Sequence, residues 1–152
     1  MSFRSSTRDL VSNKTLLFAL IAIITTRAIS GLLLAPIQDE AYYFYWARFL
    51  DWGYFDHPPL VSWISSLIQV WPASAFAARA GTIILSIISI PLMVSLFKAS
   101  GLRDEESLAS ALILASGSLA GILLGYITTP DIPMIFCWIA ALHECAKALA
   151  DN

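Results

Sequence analysis

The run LLFALIAIITTRAISGLLLAP, Leu16 to Pro36, carries one charge, Arg27. About 20 consecutive apolar residues are enough for a helix to cross the roughly 30 Å of bilayer hydrocarbon. The run therefore reads as a membrane span, and the composition agrees. Of 152 residues, 58% are hydrophobic and 13% charged, whereas soluble domains hold about 45–50% and about 25%. Arg4, Arg8 and Lys14 precede the run and could suggest a secretory signal. The apolar core is too long for one, and no small-residue cleavage site stands clear of it. An uncleaved first span is the better reading.

Working outward, three more runs approach spanning length: Phe76–Ala99, Leu108–Ile127 and Ile132–Ala150. The expectation is an all-α polytopic membrane protein with about four transmembrane helices. The third run has no charge; the fourth is polarised at its end by His143, Glu144 and Lys147. Pro72 and Ser74 precede the second of the four spans and Gly101 follows it at a stop position. Asp104, Glu105 and Glu106 open the next, where acids complement the positive end of the helix dipole. Gly117, Gly121 and Gly125 recur every four residues and predict a close helix–helix contact.

Basic residues in short flanks set orientation. Arg4, Arg8, Lys14, Lys98, Arg103 and Lys147 fall on one side for an even number of crossings, taken as cytoplasmic; Arg48 and Arg79 dissent. Arg27, roughly 14 Å of helix from Pro36, sits near mid-membrane, where a charge pairs within the bundle. The net charge of -2 and the lack of a basic run give no argument for a nucleic-acid partner, and none is expected. Cys137 and Cys145 would lie about 12 Å apart on a helix, too far for a disulfide. They lack the second Cys/His pair of a zinc site.

Between the first two spans lies Ile37–Ala75, which is not uniformly apolar. Tyr42, Tyr43, Phe44, Tyr45, Trp46, Phe49, Trp52, Tyr54 and Phe55 crowd into it, among Asp39, Glu40, Arg48, Asp51, Asp56 and His57. Tyr and Trp favour the headgroup level. Two interfacial amphipathic helices are predicted: Tyr42–Leu50, capped by Asp39 and ended by Gly53, and Leu60–Trp71, with Pro58 and Pro59 stiffening the junction. Anchoring accounts for the rings but not for the carboxylates. Acids at a membrane surface serve as general bases or bind a divalent cation.

The stretch DEAYYFYWARFLDWGYFDHPPLVSWI (Asp39–Ile64), followed by TPDIPMIFCW (Thr129–Trp138), resembles the polyprenyl-phosphate-sugar-dependent glycosyltransferases of the membrane GT-C superfamily. The similarity is to the protein O-mannosyltransferase and lipid A aminoarabinose transferase group. It implies that residues 1–152 form the N-terminal transmembrane module of a longer enzyme, which alone would lack activity. It further implies a multi-pass protein of the bacterial inner membrane with its active site on the periplasmic face. A sugar would pass from a polyprenyl-phosphate donor to a lipid, glycan or protein hydroxyl, with inversion.

Carried over by position, the resemblance makes Asp39 the general base and Glu40 its support or an acceptor-positioning group, with a structural cap as the rival role. Asp56, His57 and Asp131 would line the donor site. It leaves the cofactor open and allows a divalent metal cation at Asp56. From its place near the outer end of its span, Arg79 is expected to meet a lipid phosphate. A competing reading is a non-catalytic polytopic protein or transporter fragment, anchored by the aromatic loop. That reading does not require Asp39 and Asp131 to converge.

Overall fold

A computed structural model describes residues 13–68, 74–117 and 119–150, and among these every regular element is helical. Arg4, Arg8, Trp71 and Pro72, used in the sequence reading, lie outside the described residues. The helices are α1 (Asn13–Leu33), α2 (Gln38–Trp46), α3 (Leu60–Ser65), α4 (Ala75–Ala99), α5 (Asp104–Ser116), α6 (Leu119–Leu123) and α7 (Asp131–Ala150). A 3₁₀ turn, Ser66–Ile68, continues α3. Three of them, α1, α4 and α7, are long and apolar enough to cross a membrane.

The central helix α4 packs against α1, α3, α5 and α7. Ser74 caps it, its hydroxyl accepting the Ala77 N–H at 3.1 Å. Gly101, at φ +93°, closes it; the Leu102 N–H returns to the Phe97 carbonyl and the Gly101 N–H to that of Lys98, the left-handed termination that favours glycine. At that end Lys98 pairs with Asp104 at 2.9 Å, and Leu16, Ile90, Ala111, Leu112 and Ala115 form a buried cluster. His143 of α7 meets Ser95 of α4 at 2.8 Å, while Thr128, just before α7, bonds the Ala78 carbonyl near the start of α4, so these two helices run parallel.

The predicted third span departs from expectation. It is broken at Gly117 into α5, of 13 residues, and the short α6. At about 1.5 Å per residue α5 reaches about 20 Å, short of the hydrocarbon thickness. The cause is Arg27, only 6% exposed at mid-bundle. Its guanidinium donates to the carbonyls of Ser86 (3.1 Å), Ala115 (3.1 Å) and Gly121 (3.5 Å). Among the described residues no carboxylate forms an ion pair with it. A continuous helix would hold the Ala115 and Gly121 carbonyls in its own ladder; the break turns them toward the cation. Gly125 supplies the room, since a Cβ there would strike the Arg27 side chain. Of the three glycines Gly125 alone makes room for the arginine side chain; a Cβ at Gly117 or Gly121 would strike the backbone of α5 itself. The α5–α6 segment still runs the length of the bundle, from Asp104 beside Lys98 to Thr128 beside Glu40.

Helices α2 and α3 cap the other end through Tyr43, Trp46 and Val61. Tyr54 stacks on Trp46 at 4.2 Å and 6°, and the Trp63 indole donates to the Asp51 carbonyl at 3.1 Å. Helix α2 starts earlier and ends earlier than predicted, at Gln38 and Trp46. Asp39 is not its cap: the Glu40 carboxylate accepts the Ile37 N–H at 3.0 Å instead. Helix α3 lies directly on α4 at Gly81, where a Cβ would collide with the Ile64 carbonyl and side chain. Overpacking of this kind costs about 1–3 kcal/mol. Gly81→Ala is therefore expected to lower the thermal midpoint of the purified protein clearly, while Gly53→Ala, in open space, leaves it close to wild type; equal midpoints for the two would refute the contact.

Candidate functional site

At the α2–α3 end, one buried ion pair joins four parts of the chain. Glu40 is fully buried and Arg79 is 1% exposed. Arg79 Nε donates to Glu40 Oε1 at 2.7 Å and Nη2 to Oε2 at 2.5 Å. Its Nη1 donates to the Ser30 and Leu34 carbonyls at 3.3 and 2.7 Å, and Nη2 also reaches the Ala35 carbonyl at 2.9 Å. Those carbonyls belong to the last turn of α1 and the residues after it, which a helix leaves without internal donors. Glu40 Oε1 also accepts the Thr128 N–H at 2.9 Å, and the Tyr126 ring lies 5.7 Å from the guanidinium carbon. Thr128 in turn bonds Thr82 Oγ1 at 2.9 Å and the Ala78 carbonyl at 2.8 Å. A guanidinium carries five N–H donors, and all five of Arg79's are directed at atoms of this chain. Arg79 therefore has no donor left for a lipid phosphate, contrary to its expected role; Glu40 takes the structural role that was its rival reading.

Adjacent helix residues project about 100° apart. With Glu40 held inward, Asp39 is exposed, in the first turn of α2, where the positive end of the helix favours a carboxylate. Asp131 occupies the corresponding place in α7 and is also exposed. Asp56 accepts from the Tyr42 hydroxyl at 3.3 Å and lies 3.1 Å from His57 Nδ1. That nitrogen is buried without a directed hydrogen bond. The His57 ring stands edge-on to Tyr43 at 5.4 Å.

Tyr43 is only 3% exposed and feels the charge of these acids. Burial pushes its phenol above the ordinary value, and the charges of Asp39, Asp56 and Asp131 add to the rise, followed by Tyr42. Three carboxylates from α2, the α2–α3 junction and the start of α7 therefore act on one hydroxyl, which stays a proton donor. Composition concealed Tyr43 among nine loop aromatics; its spacing of three from Trp46 on a short helix was the available signal. Among the described residues no three His, Cys, Asp or Glu side chains stand close enough to hold a metal ion.

Three membrane-length helices in an all-α bundle define a multi-pass membrane protein. Residues 56–152 match the family described as dolichyl-phosphate-mannose-protein mannosyltransferase, and the chain belongs to this family of GT-C-type membrane glycosyltransferases. The matched region contains Asp56, His57, Arg79 and Asp131; Asp39 and Glu40 precede it. No curated protein and no solved structure matches the chain.

Removing one member of a buried ion pair costs about 3–5 kcal/mol. Arg79→Met is expected to reduce the folded yield and thermal midpoint sharply, and Arg79→Lys to rescue little, since an ammonium has three donors in place of five. Full rescue by lysine would show that charge alone matters. The raised Tyr43 phenol gives a pH test. The neutral form is the one favoured in the folded state, so its contribution is intact below about pH 10, the ordinary tyrosine value, and is lost as pH climbs through the folded value. In an alkaline ultraviolet titration Tyr43→Phe should remove a late-ionising tyrosine, and Asp131→Asn should bring its midpoint down. A titration unchanged by either substitution would contradict the convergence.

Proposed function

We propose that the chain forms part of an enzyme that transfers a sugar from a polyprenyl-phosphate donor to an acceptor hydroxyl, at the bundle end carrying Asp39, Asp56 and Asp131. The observation that carries this reading is that the fold gathers three acids at one end: Asp39 adjoins the buried Glu40, Asp131 follows Thr128, whose N–H bonds Glu40, and Asp56 bonds Tyr42. They come from segments far apart in sequence, and an anchoring loop would have no need to gather them.

The chemistry follows from what each group can do. The donor's anomeric carbon is bonded to a phosphate oxygen, and phosphate leaves as a stable anion without prior protonation. The acceptor hydroxyl is the weaker partner and needs a base. Asp39 is exposed and uncommitted to capping, in contrast to Glu40 beside it. As the acceptor oxygen attacks, its proton passes to Asp39; the new glycosidic bond forms as the bond to phosphate breaks, with inversion, and prenyl phosphate departs with the electron pair. Asp56 and His57 border the donor side, and the Tyr43 hydroxyl offers a hydrogen bond to a sugar or phosphate oxygen. On this reading the end bearing the acids faces the periplasm of a bacterial inner membrane. The acceptor is a lipid, glycan or protein hydroxyl.

General-base catalysis contributes typically 10²–10⁴-fold. Asp39→Asn in the full-length enzyme is expected to lower transfer by at least about 10²-fold with normal membrane abundance, because the side chain is exposed. Transfer at the wild-type rate would remove Asp39 as the base.

A further inference from the structure

At the opposite end of the bundle, α4 and α7 diverge to leave a groove of about 490 Å³ lined by Pro91, Val94, Ser95, Lys98, His143 and Lys147, together with Ala99. Three features set it apart from a merely lipid-facing seam. Its polar groups are cationic or neutral donors, with no acid in the lining. His143 is 12% exposed at its side chain and is held in place, with Nε2 2.8 Å from Ser95 Oγ and Nδ1 2.9 Å from Glu144 Oε1. Lys147 has no carboxylate within ion-pair distance among the described residues. The acids paired with the lining among the described residues, Asp104 on Lys98 and Glu144 on His143, are 82% and 71% exposed.

The groove is also amphiphilic along its length. Pro91 lies a full turn or more inside α4 and has no N–H for the helix ladder. Pro91 and Val94 thus give the deeper part an apolar wall, and Lys98 and Lys147 stand near the helix ends where a headgroup would sit. A long lysine side chain reaches such a level by extending along the apolar surface. Basic pockets between membrane helices recognise anionic headgroups, each lysine contributing about 1 kcal/mol near the surface.

We propose that this groove binds an anionic phospholipid, its phosphate between Lys98 and Lys147 and one acyl chain along Val94 and Pro91. The site lies across the bundle from the acidic end and is independent of the transfer reaction. It would couple a lipid of the surrounding leaflet to the α4–α7 packing that presents Asp131.

The test is native mass spectrometry of the purified full-length protein, exchanged into detergent with equal amounts of dioleoyl-phosphatidylglycerol and dioleoyl-phosphatidylcholine. The wild type should retain the phosphatidylglycerol preferentially. Lys147→Gln, at an exposed position that makes no ion pair among the described residues, should weaken that preference roughly fivefold, and Lys98→Gln with Lys147→Gln should abolish it. Lys14→Gln with Arg103→Gln, at the same end but outside the groove, should leave it intact. Equal retention of both lipids, or loss of preference in the control pair as large as in the groove pair, overturns the site. Displacement of the lipid by millimolar inorganic phosphate overturns the assignment to a lipid, because a free anion would then suffice.

Discussion

The Arg79 guanidinium, inserted between the end of α1 and the carboxylate of Glu40, is the contact on which the rest of this end of the protein depends. Both partners are dry, and a charge in such surroundings is stable only when its hydrogen bonds are complete. Here they are complete: three carbonyls at the close of α1, two carboxylate oxygens, and the Thr128 amide on the far side of Glu40. One interaction therefore fixes where α1 ends, where α2 begins, and how the segment before α7 arrives. Asp39 and Asp131 each lie within three residues of that network, so their positions are consequences of it. An exposed carboxylate on an otherwise mobile loop becomes a group with a defined neighbour.

Arg27 plays a comparable part deeper in the bundle, by a different solution. It pairs with no acid among the described residues, so backbone carbonyls solvate it, and a helix opens to provide them. This explains why the chain passes four times along the bundle with only three membrane-length helices. Both arginines are expensive in an apolar medium, and both are used to join elements that apolar packing alone would leave free to slide.

The apolar runs, their order and the stops at Ser74 and Gly101 were legible in the sequence, because span length and helix termini depend on local chemistry. The family was legible too, from the acids, the aromatic run and the two proline-containing junctions taken together. What local chemistry could not reveal were the long-range partners. Arg79 looked free for a phosphate because the carbonyls that occupy it lie 44 to 49 residues away. Gly117, Gly121 and Gly125 looked like a packing face because nothing nearby announced that the helix would break at the first and that Arg27 would enter at the last. Of the adjacent acids Asp39 and Glu40, only the fold distinguishes the one that is locked from the one that is available. Gly81 and Tyr43 were passed over for the same reason.

Placing the acids at one end is what the proposed function requires: on that proposal a membrane-embedded donor presents its phosphate there while the acceptor arrives from the aqueous side. That arrangement requires the Arg79–Glu40 pair to hold α2 against the start of α7. The most direct measurement is chemical crosslinking in membranes, with Cys137 and Cys145 replaced by serine and single cysteines introduced as Asp39→Cys and Asp131→Cys. A short bifunctional thiol reagent should join the two positions efficiently, and adding Arg79→Met should abolish the product. Crosslinking no better than that of Asp39→Cys with Lys147→Cys, or crosslinking untouched by loss of Arg79, would contradict the account.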